Sequence, residues 1–364
     1  MSYTHDVIII GAGPAGSSAA YHLYSQGIEN ILVIDKCMFP RDKICAGGLT
    51  LRAQKCLAEM QVLDEVKARG YEVPTTLIVT PNGKTFKLRK EIHHMYVMRR
   101  RLLDALVLER TRLLGVKVRE GVHVEGLLKK DGEVRGIVTR NGEHLEAKVI
   151  VVASGTNSAR FIQSSRPSIQ MLGYMGWFEG TRFLKNAAYY IYDEELLPLY
   201  GWVFPESDDL VNIGIVVEGS HLSSREIKLR FDTLISRYLQ EYMENAHRLG
   251  PARGYPIRSS YHIQNLVDGN VVYVGEAGGI VSPRSGEGIS QALISGKFAA
   301  NAISHYLSTF DQKHLMEYER MVRKEFYFFP RLRWIKMAYK HKVTWRIREF
   351  SVTLMGIFQN PPNP

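Results

Sequence analysis

Three groups of residues in this 364-residue chain have types and spacing that could do chemistry. The first is Gly11, Gly13 and Gly16, with Asp35 further on, in "DVIIIGAGPAGSSAAYHLYSQG" and "ILVID". The pattern G-x-G-x-x-G after an apolar run and before a helical stretch is that of a dinucleotide-binding turn. Gly11 would make the tight turn and Gly13 would let the backbone approach a pyrophosphate. Gly16 would let the helix pack close to the strand. The helix N-terminus would offer free N–H groups and a positive dipole end to phosphate. Asp35 stands about 20 residues on, where an acid holds ribose hydroxyls. The motif alone does not choose between FAD and NAD. No second G-x-G-x-x-G follows a strand, so one bound dinucleotide is implied.

The second group is "KICAGGLT", Lys43 to Thr50. The pair Gly47–Gly48 would let main chain lie flat against a ligand. Cys45 beside it is either small buried filling or a thiol that faces a reactive centre. The third group is "VGEAGGIVSPRSGEGI", where Gly275, Gly278, Gly279, Gly286 and Gly288 crowd one turn. A helix N-terminus after Gly286–Glu287–Gly288 would favour the negative edge of a reduced flavin.

Regular elements must hold these groups in place. Val7 to Ile10 reads as a buried strand, with a helix to Gly27 and a second strand ending at Asp35. Val271 to Val274 reads as another strand, with a helix from about Gly288. Asn82–Gly83, Asp131–Gly132 and Asn141–Gly142 mark hairpin turns. "SSREIKLRFDTLISRYLQEYMENA" reads as an amphipathic helix with a serine cap. The stretch from Tyr174 to Gly219 is aromatic and β-rich, which suits an antiparallel sheet.

With these motifs in view the chain resembles the para-hydroxybenzoate hydroxylase superfamily of flavoproteins. Within it, the chain is similar to the geranylgeranyl reductase family, over about residues 5 to 305. "DKCMFPRDKICAGGL", "MRRRLLDALVLERTRLLGVKVREG", "VASGTNSARF", "VGEAGGIVSPRSGEGI" and "LYGWVFP" carry the resemblance. It implies an α/β fold: a Rossmann-type FAD-binding domain of three-layer ββα architecture, interrupted by an antiparallel substrate sheet, with C-terminal helices. The FAD domain would be discontinuous, over 1–74, 96–170 and 265–308. The substrate domain would take 75–95 and 171–264, and a basic helical region 309–364.

The resemblance implies that FAD is held by Gly11, Gly13, Ala15, Gly16, Asp35, Lys36, Arg41, Cys45, Ala46, Gly47, Gly48, Arg100, Gly275, Glu276, Gly286, Glu287, Gly288 and Ile289. Arg100 would touch the phosphates. Cys45 would face the isoalloxazine, as proton relay or as pocket wall. Tyr200, Trp202 and Phe204 would line the substrate site, although aromatics in a sheet are most often core. Two positions depart from the superfamily. Ser154 replaces an aspartate, which weakens direct reduction by NAD(P)H and leaves another reductant open. Glu276 replaces the later aspartate and could still accept a ribityl hydroxyl.

The implied reaction is saturation of carbon–carbon double bonds in a polyprenyl chain. Two other readings are an aromatic monooxygenase on the same fold and a flavin-bound lipid-binding protein with little turnover. Bulk properties narrow the field further. Three cysteines without a CxxC pair argue against a disulfide framework or a metal site. No basic n-region with a cleavage site and no apolar run of about 18 residues occurs, so cytoplasmic placement is expected. Much of the formal charge of +10 sits between Arg320 and Arg348, among Phe326, Trp334 and Trp345. That mixture suits peripheral contact with an anionic inner membrane face, or a helix pair packed on the body. No nucleic-acid module is legible.

Overall fold

Apolar runs without alternation, such as "DVIII", "ILVI" and "VIVV", bury both faces and so select a central parallel sheet. The computed structural model describes residues 3–88, 93–162, 169–196, 199–219, 222–260, 263, 265–283 and 285–326. In it, His5–Ile10 pairs in parallel with Ile31–Ile34 on one side and His144–Val152 on the other. Val271–Tyr273 adds in parallel to His144–Val152, and Lys117–Arg119 adds to Ile31–Ile34. Three layers result. Helices Pro14–Ser25, Ile289–Thr309 and Lys313–Phe326 cover one face through Ala15, Ala19, Leu23, Ala299, Leu315 and Tyr318. The meander Val124–Lys130, Glu133–Thr139 and His144–Val152 covers the other through Val124, Val134 and Ile137. Its tight turn carries Asp131 and Gly132, both at positive φ.

The chain leaves this unit twice to build a second sheet. Thr75–Val79 and Thr85–Leu88 form a hairpin whose turn holds Gly83 at φ +79°. Thr75–Val79 pairs in parallel with Ala187–Ile191. Antiparallel pairing then continues through Gly201–Pro205 and Leu210–Glu218 to Ile169–Glu179, which also pairs with Arg253–Ser259. The helix Ser224–Leu234 lies on the outer face, burying Ile227, Phe231 and Leu234. Its first turn is closed by a capping box of Ser223 and Glu226, the arrangement that satisfies two otherwise free backbone donors.

The helix Lys313–Phe326 packs on the body. Tyr318 donates its hydroxyl to the Tyr273 carbonyl at 2.8 Å, and Glu319 accepts the Leu266 N–H at 2.8 Å. Arg320, Arg323 and Lys324 belong to this helix. The remaining basic and aromatic residues, from Arg331 through Trp334 and Trp345 to Arg348, lie outside the described residues.

Two helices of the first layer touch through small residues. A Cβ on Gly296 would fall 2.4 Å from the Ala15 carbonyl oxygen and 2.9 Å from the Ala19 nitrogen. Neither backbone atom can retreat like a side-chain tip. Gly296→Val should therefore destabilise the fold by about 1–3 kcal/mol, read as a lower urea midpoint at unchanged slope.

Candidate functional site

A cavity of about 620 Å³ opens where the parallel strands end and the second sheet begins. Residues just beyond the ends of four parallel strands reach it: Gly11, Asp35, Ser154 and Glu276. This is the crevice beyond the carboxyl ends of the strands, where open α/β sheets bind ligands.

At one end, Gly11 has φ +106°, and a Cβ there would fall 2.6 Å from the Ala153 carbonyl oxygen. A Cβ on Gly16 would fall 1.9 Å from the Gly11 oxygen, so this residue lets helix and strand touch without itself reaching the cavity. Pro14 opens the helix, Gly13 precedes it, and no side chain caps it. Gly13, Pro14 and Ala15 lie on the wall. Asp35 is buried; it accepts the Ala12 N–H at 2.8 Å and the Cys37 N–H at 2.9 Å. Lys36 and Arg41 also reach the wall.

The loop after the second strand differs from expectation in one respect. Cys45 and Ala46 line the cavity, but Gly47 and Gly48 stand behind them. Protein atoms explain both glycines. A Cβ on Gly47, at φ +76°, would fall 2.4 Å from the Met98 carbonyl oxygen. A Cβ on Gly48 would fall 2.7 Å from Met95 and 3.0 Å from the Phe204 ring. The pair thus shapes the loop against the strands beneath it. The Cys45 thiol accepts the Gly47 N–H at 3.5 Å. Arg100 is buried on the wall and gives two hydrogen bonds to Asp104, at 2.6 and 2.7 Å. Although burial opposes its charge, Asp104 and Cys45 hold the Arg100 pKa above the ordinary arginine range.

A second helix N-terminus faces the same space. Gly288 precedes Ile289–Thr309, again without a side-chain cap, and Gly286, Gly288 and Ile289 line the wall. Gly275 and Glu287 do not. A Cβ on Gly275 would fall 2.9 Å from the Ala15 side chain, so this position serves packing. Glu287 turns its carboxylate to Thr50 at 2.7 Å and Ser290 at 2.6 Å. Glu276 is on the wall with its carboxylate already engaged. Lys43 lies 3.2 Å from one oxygen; the Thr156 hydroxyl and the Arg258 N–H bond the other at 3.0 and 3.1 Å.

Tyr200, Trp202 and Phe204 line the far side with Met175, Val216 and Ile257. Tyr200 donates its hydroxyl to the Ser285 carbonyl. Burial, then Tyr190, Tyr192 and Glu287, push its pKa well above the usual phenol value, so it stays protonated. The Trp202 indole bonds Asn212 at 2.8 Å, and Gly214 leaves room for its ring. Asn212 also donates to the Ala46 carbonyl at 3.2 Å and to Glu206 at 3.0 Å.

Asn212, Asp104, Thr156, Tyr255 and Arg253 are residues that reading the sequence missed. Asn212 and Asp104 are wholly buried polar groups. A polar residue inside an apolar strand, "LVNIGIVV", was the available signal for Asn212.

Two uncapped helix starts, a backbone cradle and an acid at the second strand fit an FAD spread between the two ends. The FAD binding domain model matches residues 4–324. The chain belongs to this FAD-binding family. It is 27% identical over 303 residues to digeranylgeranylglycerophospholipid reductase 1 of Methanopyrus kandleri, covering 81% of this chain and 79% of that protein. A geranylgeranyl bacteriochlorophyll reductase-like protein of Thermoplasma acidophilum superposes with TM-score 0.78 at 22% identity, covering 89% and 84% of the two chains. A flavin-dependent brominase superposes with TM-score 0.77 at 22% identity, covering 97% and 93%. At these identities the two structures establish the shared fold alone.

Asp35→Asn should weaken FAD binding about ten- to a hundredfold, because a hydrogen bond to a charged group contributes about 1.5–3 kcal/mol. Titrating the apoprotein with FAD and following flavin fluorescence measures it.

Proposed function

We propose that this FAD-dependent oxidoreductase reduces carbon–carbon double bonds of a polyprenyl chain. One observation carries the reading: an apolar wall of Met175, Trp202, Phe204, Val216 and Ile257 lines the same cavity as the Cys45 thiol. An isolated alkene offers no carbonyl to polarise, so the protein must supply position, dry surroundings and a proton. The reductases named among the relatives support a prenyl lipid as substrate.

The bound cofactor, once reduced, supplies the hydride. Gly288 and Ile289, at an uncapped helix start on the cavity wall, would hold it by backbone N–H groups and a positive dipole end. The aromatic wall excludes water and packs the alkene. Tyr200 is not the acid, since its proton is committed to the Ser285 carbonyl. Cys45 holds an exchangeable proton on the cavity wall and donates it to the second alkene carbon; solvent restores it afterwards. Asn212 fixes the Ala46 carbonyl, and with it the neighbouring thiol, against the wall. No helix among the described residues is long and apolar enough to cross a membrane. A lipid substrate would be met at the membrane surface.

The test is anaerobic. The protein is reduced with dithionite and mixed with geranylgeranyl diphosphate or a geranylgeranyl lipid. Flavin reoxidation and lipid mass are then followed. The expected result is reoxidation with a gain of about two mass units per reduced bond, a hydride plus a proton. A flavin that stays reduced beside unchanged lipid would sink the proposal. Cys45→Ala should slow turnover about 100-fold, the lower end for loss of a general acid, and leave lipid binding intact. A variant with wild-type turnover would leave Cys45 a wall residue only.

A further inference from the structure

We infer that Asp104 is a positioning residue that sets two cations of the cavity at once: Arg41 beside the phosphate cradle and Arg100 beside the Cys45 thiol. Its carboxylate has no exposure to solvent. It receives Arg100 through two hydrogen bonds, at 2.6 and 2.7 Å, and Arg41 at 3.1 Å. Arg41 comes from the loop that carries Cys45; Arg100 and Asp104 come one helical turn apart on Arg100–Leu113. The same arginine that Asp104 grips shares the cavity wall with Cys45. The other arginine lies 3.5 Å from where a Gly13 Cβ would be, at the uncapped start of the first helix.

Charge counting shows what the arrangement does. Two guanidinium groups against one carboxylate leave a single positive charge facing the cavity. That charge suits an anionic pyrophosphate beside Gly13. A buried cation without its partner is costly, so one carboxylate holds two arginines where neither would stay alone. The two differ in freedom. The Arg41 side chain is 17% exposed and lies over the Phe39 ring, whereas Arg100 is 7% exposed. If Asp104 lost its charge, Arg41 could swing into water. Arg100, buried on its helix, would be left without its counter-charge. The inference rests on FAD binding and not on the prenyl reading.

Asp104→Asn keeps the shape and removes the charge. The readout is FAD affinity of the apoprotein, which needs no prenyl turnover; it should fall at least about tenfold, as expected for loss of a charge-assisted contact. Asp104→Glu, which restores the charge, should recover most of it. Should Asp104→Asn fail to fold by circular dichroism, Arg41→Gln takes its place and should weaken FAD by a similar factor. Affinity of the folded variant within twofold of wild type, or no recovery in Asp104→Glu, would overturn the inference, whatever the fate of the prenyl substrate.

Discussion

Two helix N-termini point into one cavity, and neither is capped by a side chain. An uncapped helix start leaves backbone donors without partners and carries about half a positive charge. Both starts can persist beside a cavity only where solvent or an electron-rich ligand answers those donors. The rest of the molecule keeps them converging. Pro14–Ser25 and Ile289–Thr309 approach closely because Gly296 has no side chain to separate them from Ala15 and Ala19. Gly16 removes the same obstacle between the first helix and its strand. The glycines away from the cavity thus set the aim of the groups that line it.

The second sheet is joined to this frame by an apolar cluster, in which Met95, Val97 and Val281 meet Met175, Trp202 and Phe204, and by polar bonds. Asn212 links Trp202, the Ala46 carbonyl and Glu206. Glu276 links Lys43, Thr156 and Arg258. Each of these residues satisfies several partners, and each sits where two layers meet. Directional bonds hold a register that apolar contact leaves loose. The wall is apolar at Met175, Val216 and Ile257 and hydrogen-bonded at Asn212 and Glu276.

The cofactor half was legible because its physics is local. A tight turn, a helix start and an acid after the next strand follow each other within 30-odd residues and need no distant partner to be recognised. Gly11, Gly13, Asp35, Cys45, Tyr200 and Trp202 all reached the cavity. What escaped depends on distant chain. Gly47 and Gly48 look like a ligand platform, yet Met98, Met95 and Phe204 dictate them from about 50 and 150 residues away. Glu276 reaches the cavity, but its pairing with Lys43, over 200 residues earlier, left no mark in the sequence. Asp104 resembles an ordinary helix carboxylate until Arg41 is seen beside it. Single-residue spacing carries no trace of such pairings.

The bond between Lys43 and Glu276 has a consequence for the life of the chain. It joins the early loop to a turn near the end of the sheet-forming sequence. The strand Val271–Tyr273 and the helix Ile289–Thr309 complete the parallel sheet and one of its covering faces. On a ribosome, which releases chain from its N-terminus onward, the glycine cradle therefore emerges long before the walls that enclose it. Until residue 289 has emerged, the face of His5–Ile10 and Ile31–Ile34 under Pro14–Ser25 lacks the second and third of its covering helices, and a chain cut short there would leave it so.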